Sequence, residues 1–177
     1  GGKNWSVDYE LRDLRSFFKD VYLLLGAEAT WDRVRNVRGD VFQMATGFSI
    51  GPGTPPLGTF TLADPNAGEN TVQVPFHALT GISAFPLVVL SNHLGSGGGL
   101  GPLHALLLRS NGTSDVFLNV WSADRKASKF FSEFFFTHLS EGLASGDAFR
   151  QALLNMIQRN DMNHPHQWGQ FFHFGTG

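Results

Sequence analysis

One run of the sequence restricts the fold more than any other. Residues Pro86-Leu-Val-Val-Leu-Ser91 are apolar almost throughout. A strand with one wet face alternates apolar and polar side chains, so an unbroken apolar run of this length predicts a strand buried on both faces, as in a parallel sheet covered by helices. The run opens into Gly95-Ser-Gly-Gly-Gly-Leu-Gly101, followed by a helical stretch over 103–108 and by Asp115-Val-Phe-Leu-Asn-Val-Trp121. Strand, loop, helix and strand in this order make one crossover unit of an α/β sheet.

The rest of the chain repeats the alternation of strand-length and helix-length patterns. Asp20-Val-Tyr-Leu-Leu-Leu25 predicts a strand closed by Gly26, and 29–36 a short helix capped by Thr30. Asp40-Val-Phe-Gln-Met-Ala-Thr46 predicts a strand ending at Gly47, and the Gly/Pro-rich stretch 47–57 a loop. Thr59-Phe-Thr-Leu62 predicts a short strand paired with 71–74 across the turn Asp64-Pro65-Asn66. Over 123–143, Ala127, Phe130, Phe131, Phe134, Phe135 and Leu139 fall at helical spacing, with the end marked by Gly142. Phe136 lies off that stripe and is expected to meet another surface. A second helix is expected from Ser145 as its cap, with Phe149, Ala152, Leu153, Met156 and Ile157 on one side, and Gln170-Phe-Phe-His-Phe174 as a closing strand. No internal repeat or dividing linker interrupts the pattern, so residues 1–177 read as a single domain.

Composition removes several functions. At 177 residues the chain buries about two-thirds of its surface on folding, enough for one sizeable core. Charged residues make up 16%, against roughly 25% in ordinary soluble domains. That shortfall implies apolar surface covered by a partner or by further chain. A net charge of −2, with basic residues not interleaved with aromatics, gives no field for nucleic acid or an anionic membrane. No stretch reaches the roughly 20 apolar residues of a membrane helix, and the start is not a secretory signal. The absence of cysteine excludes disulfides, thiolate nucleophiles and Cys-ligated zinc, and fits a reducing, cytoplasmic location.

Several local strings, in order, resemble one family. Val88-Val-Leu-Ser-Asn-His-Leu-Gly95 resembles the V-V-L-S-A-C-E-T-G segment around the nucleophile of the CHAT domain, a caspase-like peptidase domain often found with tetratricopeptide repeats. Leu25-Gly-Ala-Glu-Ala-Thr30 is similar to the family's G-E-x-A-T segment, and Val41 to Gly47 lies where the family has H-F-A-T-H-G. Asp115 to Trp121 with Asp124 looks like its strand ending in Trp before an acidic helix start. Ala148-Phe-Arg-Gln-Ala152 resembles A-L-R-x-A, and His164-Pro-His-Gln-Trp-Gly-Gln-Phe171 resembles H-P-x-x-W-A-x-F. The resemblance implies a three-layer caspase-like α/β fold with a mainly parallel sheet flanked by helices. The family's first strands and helices have no counterpart, which implies the C-terminal part of a longer protein.

A protease of this kind needs a thiolate at the end of one parallel strand and a histidine at the end of its neighbour, because the imidazole takes the thiol proton. Aligned without gaps, His93 stands at the nucleophile position, Gly47 at the histidine position, and Gln43 at the family's first histidine. Glycine has no side chain to move a proton, and imidazole is a poor nucleophile for peptide cleavage. The catalytic pair is therefore expected to be absent. The crevice beyond the strand ends, with Gln43, Gly47, Ser91, Asn92, His93, Trp121 and Asp124 as candidates, is expected to bind a protein or peptide partner. Helical repeats of the same chain are an alternative occupant, in which case the domain is purely structural and packs on those repeats.

The competing chemistries are weaker. Ser91 or Ser96 with His93 is the alternative of a serine hydrolase, yet neither serine comes with an evident base and orienting carboxylate. The glycine loop 95–101 lacks the Lys-Ser/Thr ending of a P-loop, so no nucleotide cofactor is expected. Of seven histidines, His164, His166 and His173 are closest to a cluster, but no Asp or Glu flanks them and no metal is expected. In the resembled family the His-Pro of that motif is structural. Counterparts of Asp124 in caspase-like proteins help select a basic substrate residue; here its simpler role is a helix N-terminal acid.

Overall fold

In the computed structural model of the chain, residues 14–50, 57–64, 66, 70–82, 84–92, 100–121 and 125–176 are described, Asn92 and Arg125 by backbone alone. The apolar run at 87–92 forms the centre of a four-stranded sheet. β1 (Val41–Thr46), β5 (Leu87–Asn92) and β6 (Asp115–Asn119) are parallel, and β7 (Phe171–Phe174) runs antiparallel on β6, giving the order β1-β5-β6-β7. A smaller antiparallel sheet joins β2 (Phe48–Ser49), β3 (Thr59–Ala63) and β4 (Thr71–Pro75) in that order. The fold is thus mixed α/β with a mainly parallel sheet flanked by helices, as expected from the alternation of patterns.

Two cores lie on the two faces of the main sheet. Phe42, Met44, Val88, Leu90, Val116 and Leu118 point to one, which takes in the small sheet and α3 (Pro102–Ser110) through Phe60, Val74, Ala105 and Leu108. Leu87, Val89, Phe117 and Phe171 point to the other, beneath α4 (Arg125–Ser140) and α5 (Ser145–Gln158). The second core is built largely from aromatic rings. Phe117 lies 4.8 Å from Phe135 and 5.1 Å from Phe149, and Phe131 stacks on Phe171 at 4.0 Å. Offset packing of this kind adds about 0.5–1.5 kcal/mol per pair beyond the burial itself. The expected stripe on α4 is core, and Phe136, off the stripe, is 1% exposed against Phe18 and Phe17 beside α1 (Leu14–Phe17).

Local chemistry sets the ends of the elements. Thr30 caps α2 (Trp31–Val34), accepting the N–H of Arg33 at 3.4 Å. Asp64 Oδ1 accepts the N–H of Asn66 in the turn between β3 and β4. Gly142, at φ +92°, follows the end of α4.

Four expectations are corrected. Residues 21–25 are not a strand: Val21, Leu23 and Leu25 pack toward one core and Leu24 toward the other, while the backbone joins no ladder. Alternation reports where side chains are buried, and an extended segment achieves that without pairing. Part of the loop expected over 47–57 is the two-residue strand β2, and 51–56 lie outside the described residues. Ser145 is the first residue of α5 rather than its cap, because the carbonyl of Ala144 already accepts the Ala148 N–H at 2.8 Å. The strand expected to reach Trp121 stops at Asn119, whose side-chain amide donates to the Trp121 carbonyl at 2.8 Å and turns the chain outward.

Candidate functional site

β1 and β5 lie side by side in parallel register, Ala45 opposite Ser91 and Thr46 opposite Asn92, so both strands deliver the chain to one level at their carboxyl ends. The backbone leaving β1 is fixed at once. The Gly47 carbonyl accepts the N–H of Thr61 at 3.0 Å, and the Thr46 hydroxyl donates to the Thr61 carbonyl at 2.5 Å. These two bonds tie the end of β1 to β3, so the small sheet stands beside the carboxyl end of β1. Gly58, at φ +73°, makes this possible: a Cβ there would run into the carbonyl of Ser49 on β2.

The candidates occupy distinct places. Gln43 lies mid-strand in β1, opposite Val89, and alternates with Phe42 and Met44, so it turns to the face covered by α4 and α5. Ser91 alternates with Leu90 in the same way and is 7% exposed. Gly47 follows β1 directly and is buried. Trp121 lies two residues past β6 at 37% exposure, its ring 5.9 Å from that of His166. Asn92 ends β5, with only its backbone described. His93, Ser96 and Asp124 lie outside the described residues.

The three C-terminal histidines go to three different partners. His164 caps α6 (Pro165–Trp168), its Nδ1 accepting the N–H of His166 at 3.2 Å. His166 faces Trp121, and His173 bonds Asp115 at 2.7 Å while stacking on Phe117 at 4.5 Å. Among the described residues, no group of three His, Cys, Asp or Glu side chains is placed to hold a metal ion.

Two arrangements escaped the sequence reading. Asp115 meets His173 across 58 positions of sequence, a pairing that only the antiparallel β6–β7 register creates. His104 is the other. On the first turn of α3, its Nδ1 accepts the Gly101 N–H at 2.9 Å and its Nε2 donates to the Leu57 carbonyl at 3.0 Å. Burial pushes its pKa below the ordinary histidine value. The available signal was its spacing, three residues after a glycine that has no side chain with which to cap the helix.

A mainly parallel sheet flanked by helices defines the class as a caspase-like α/β domain. The narrower result comes from comparison with protein families: the CHAT domain model matches residues 4–176, and the chain belongs to that family. That family is caspase-like and related to peptidases. No curated protein matches the chain. Among the described residues, no helix is long and apolar enough to cross a membrane.

Proposed function

We propose that this domain is a CHAT module without peptidase chemistry, acting as a protein-binding or regulatory scaffold. The observation that carries the reading is the lack of any cysteine in a chain whose β1 is followed directly by Gly47, where the resemblance puts the family's histidine. With neither a sulfur to attack nor a side chain at Gly47 to take a proton, the two steps of thiol catalysis have no agents. The burial of Ser91 disfavours its use as a replacement nucleophile.

Retained binding is supported by the exit of β1, which is held at Gly47 by the Thr61 N–H, and by apolar side chains that remain uncovered. Trp121, just past β6, is 37% exposed, and Leu103, in the first turn of α3, is 65% exposed. Exposed aromatic and aliphatic residues suit a protein or peptide partner better than a small polar ligand.

The purified chain incubated with peptide libraries is expected to cleave none. Turnover abolished by His93→Ala would overturn the proposal. Labelling by a fluorophosphonate probe would instead favour a serine hydrolase using Ser91 or Ser96.

A further inference from the structure

A cleft of about 490 Å³ opens beside α2, lined by Tyr22, Asp32, Arg33, Asn36, Val37 and Arg38. It lies close to the amino end of β1, whereas Gly47 follows the carboxyl end of that strand. The charges around it do not cancel. Over residues 28–38, Glu28 and Asp32 stand against Arg33, Arg35 and Arg38, in a chain whose net charge is −2. Asp32 Oδ1 is taken by Arg35 Nη2 at 2.8 Å, and Glu28 Oε2 stands 3.5 Å from Arg33 Nη1. Arg38 is left over. Its Nη1 donates to the carbonyls of Arg35 and Val37, at 3.3 and 2.7 Å, and among the described residues no carboxylate pairs with it.

Tyr22 adds a second donor. Arg33 Nη2 donates to the Tyr22 hydroxyl at 3.1 Å, with the guanidinium carbon 5.9 Å from the ring centroid. A hydroxyl that accepts one hydrogen bond keeps its own proton to give. Tyr22 thus orients one guanidinium and remains a donor itself, on a side chain that is 63% exposed. The Asn36 amide is already spent, donating to the Asp32 carbonyl at 2.7 Å.

We propose that this cleft binds an acidic segment of a protein partner, with side-chain carboxylate oxygens accepting from the Arg38 guanidinium and the Tyr22 hydroxyl. The planar fork of an arginine matches the two oxygens of a carboxylate, and a guanidinium without a counter-charge in its own chain gains most from one. The cleft is larger than a single phosphate group fills, and the Tyr22 ring and Val37 give it apolar wall that the methylenes of a peptide can cover. The proposal does not use the strand ends on which the scaffold reading rests.

Titration of the whole ¹⁵N-labelled chain with an acetylated, amidated hexaglutamate peptide at low salt tests it. Saturable shifts are expected at the backbone amides of Tyr22, Arg33, Asn36 and Arg38, lost in about 1 M NaCl because screening there reaches within a few ångströms. Arg38→Gln is expected to weaken binding about tenfold, and Tyr22→Phe, which keeps the ring, several-fold. Arg150→Gln removes the same charge from an exposed position on α5 and is expected to leave the affinity unchanged. No shifts at the four positions, or equal weakening by Arg150→Gln, overturns the proposal. Inorganic phosphate that binds at these positions as tightly as the peptide overturns the assignment to a protein segment. Should Arg38→Gln not fold, a hexaglutamine peptide decides: binding equal to that of hexaglutamate overturns the proposal. Peptide cleavage by the chain would sink the scaffold reading and leave this site standing.

Discussion

The His173 Nε2 lies 2.7 Å from Asp115 Oδ1, joining the last strand of the chain to the first residue of β6. Both side chains are largely withdrawn from water, at 16% and 13% exposure. Replacing His173 by Ala leaves the carboxyl without that partner and removes a ring stacked on Phe117, so a loss of about 1–3 kcal/mol is expected in urea unfolding. Asp115→Ala is expected to cost a similar amount. The double variant should cost less than the sum of the two, because each single change already removes the shared bond.

Gly58 supplies a backbone conformation rather than a contact. In Gly58→Ala the left-handed φ alone costs about 1–2 kcal/mol, and the new methyl meets the Ser49 carbonyl and the Ile50 side chain. A lowered thermal midpoint is expected. Gly81→Ala, where nothing lies within 4 Å of the added carbon, is expected to stay within about 0.5 kcal/mol.

On α4, Phe136 packs its ring against Phe17 and Phe18 of the 14–18 segment. Its truncation to Ala should cost about 3–5 kcal/mol, the range for large aromatic residues in cores. The amides around Leu14 to Phe18 should lose exchange protection first, since Phe17 and Phe18 lose their packing partner. Phe130→Ala, at a partly buried position under the Arg159 guanidinium, should cost less.

Stability should fall in acid through His104. Its folded pKa lies below the ordinary 6.5, so the unfolded chain binds the proton more readily than the folded one. The contribution is therefore greatest above pH 6.5 and is lost as pH falls through that value toward the folded pKa. Urea midpoints at pH 8 and pH 5 should differ by more in the unsubstituted chain than in His104→Gln, which keeps a donor for Leu57 but has no proton to gain.

Much of the architecture was legible before any coordinates. The run 86–91 could be so apolar only if both faces were covered, and its place at the centre of the parallel sheet follows from that. Helical spacing of the phenylalanines gave α4, and turn chemistry at Asp64 and Asn66 gave the β3–β4 hairpin. The family likeness rested on short strings whose order is itself a property of the sequence. The lack of cysteine was equally plain, since a residue type missing from the chain is missing from every fold of it.

Contacts between segments distant in sequence were decided by tertiary structure alone. Residues 20–25 have the apolar run of a strand but no ladder, because burial acts on side chains and is met here without backbone pairing. Asp115 and His173 become partners through the register of β6 and β7. His104 becomes a link between Leu57 and Gly101 because α3 packs beside the small sheet. Periodicity is a local property, set by the geometry of one helix or strand. Hydrogen bonds across many positions depend on how those elements dock, which no local pattern encodes.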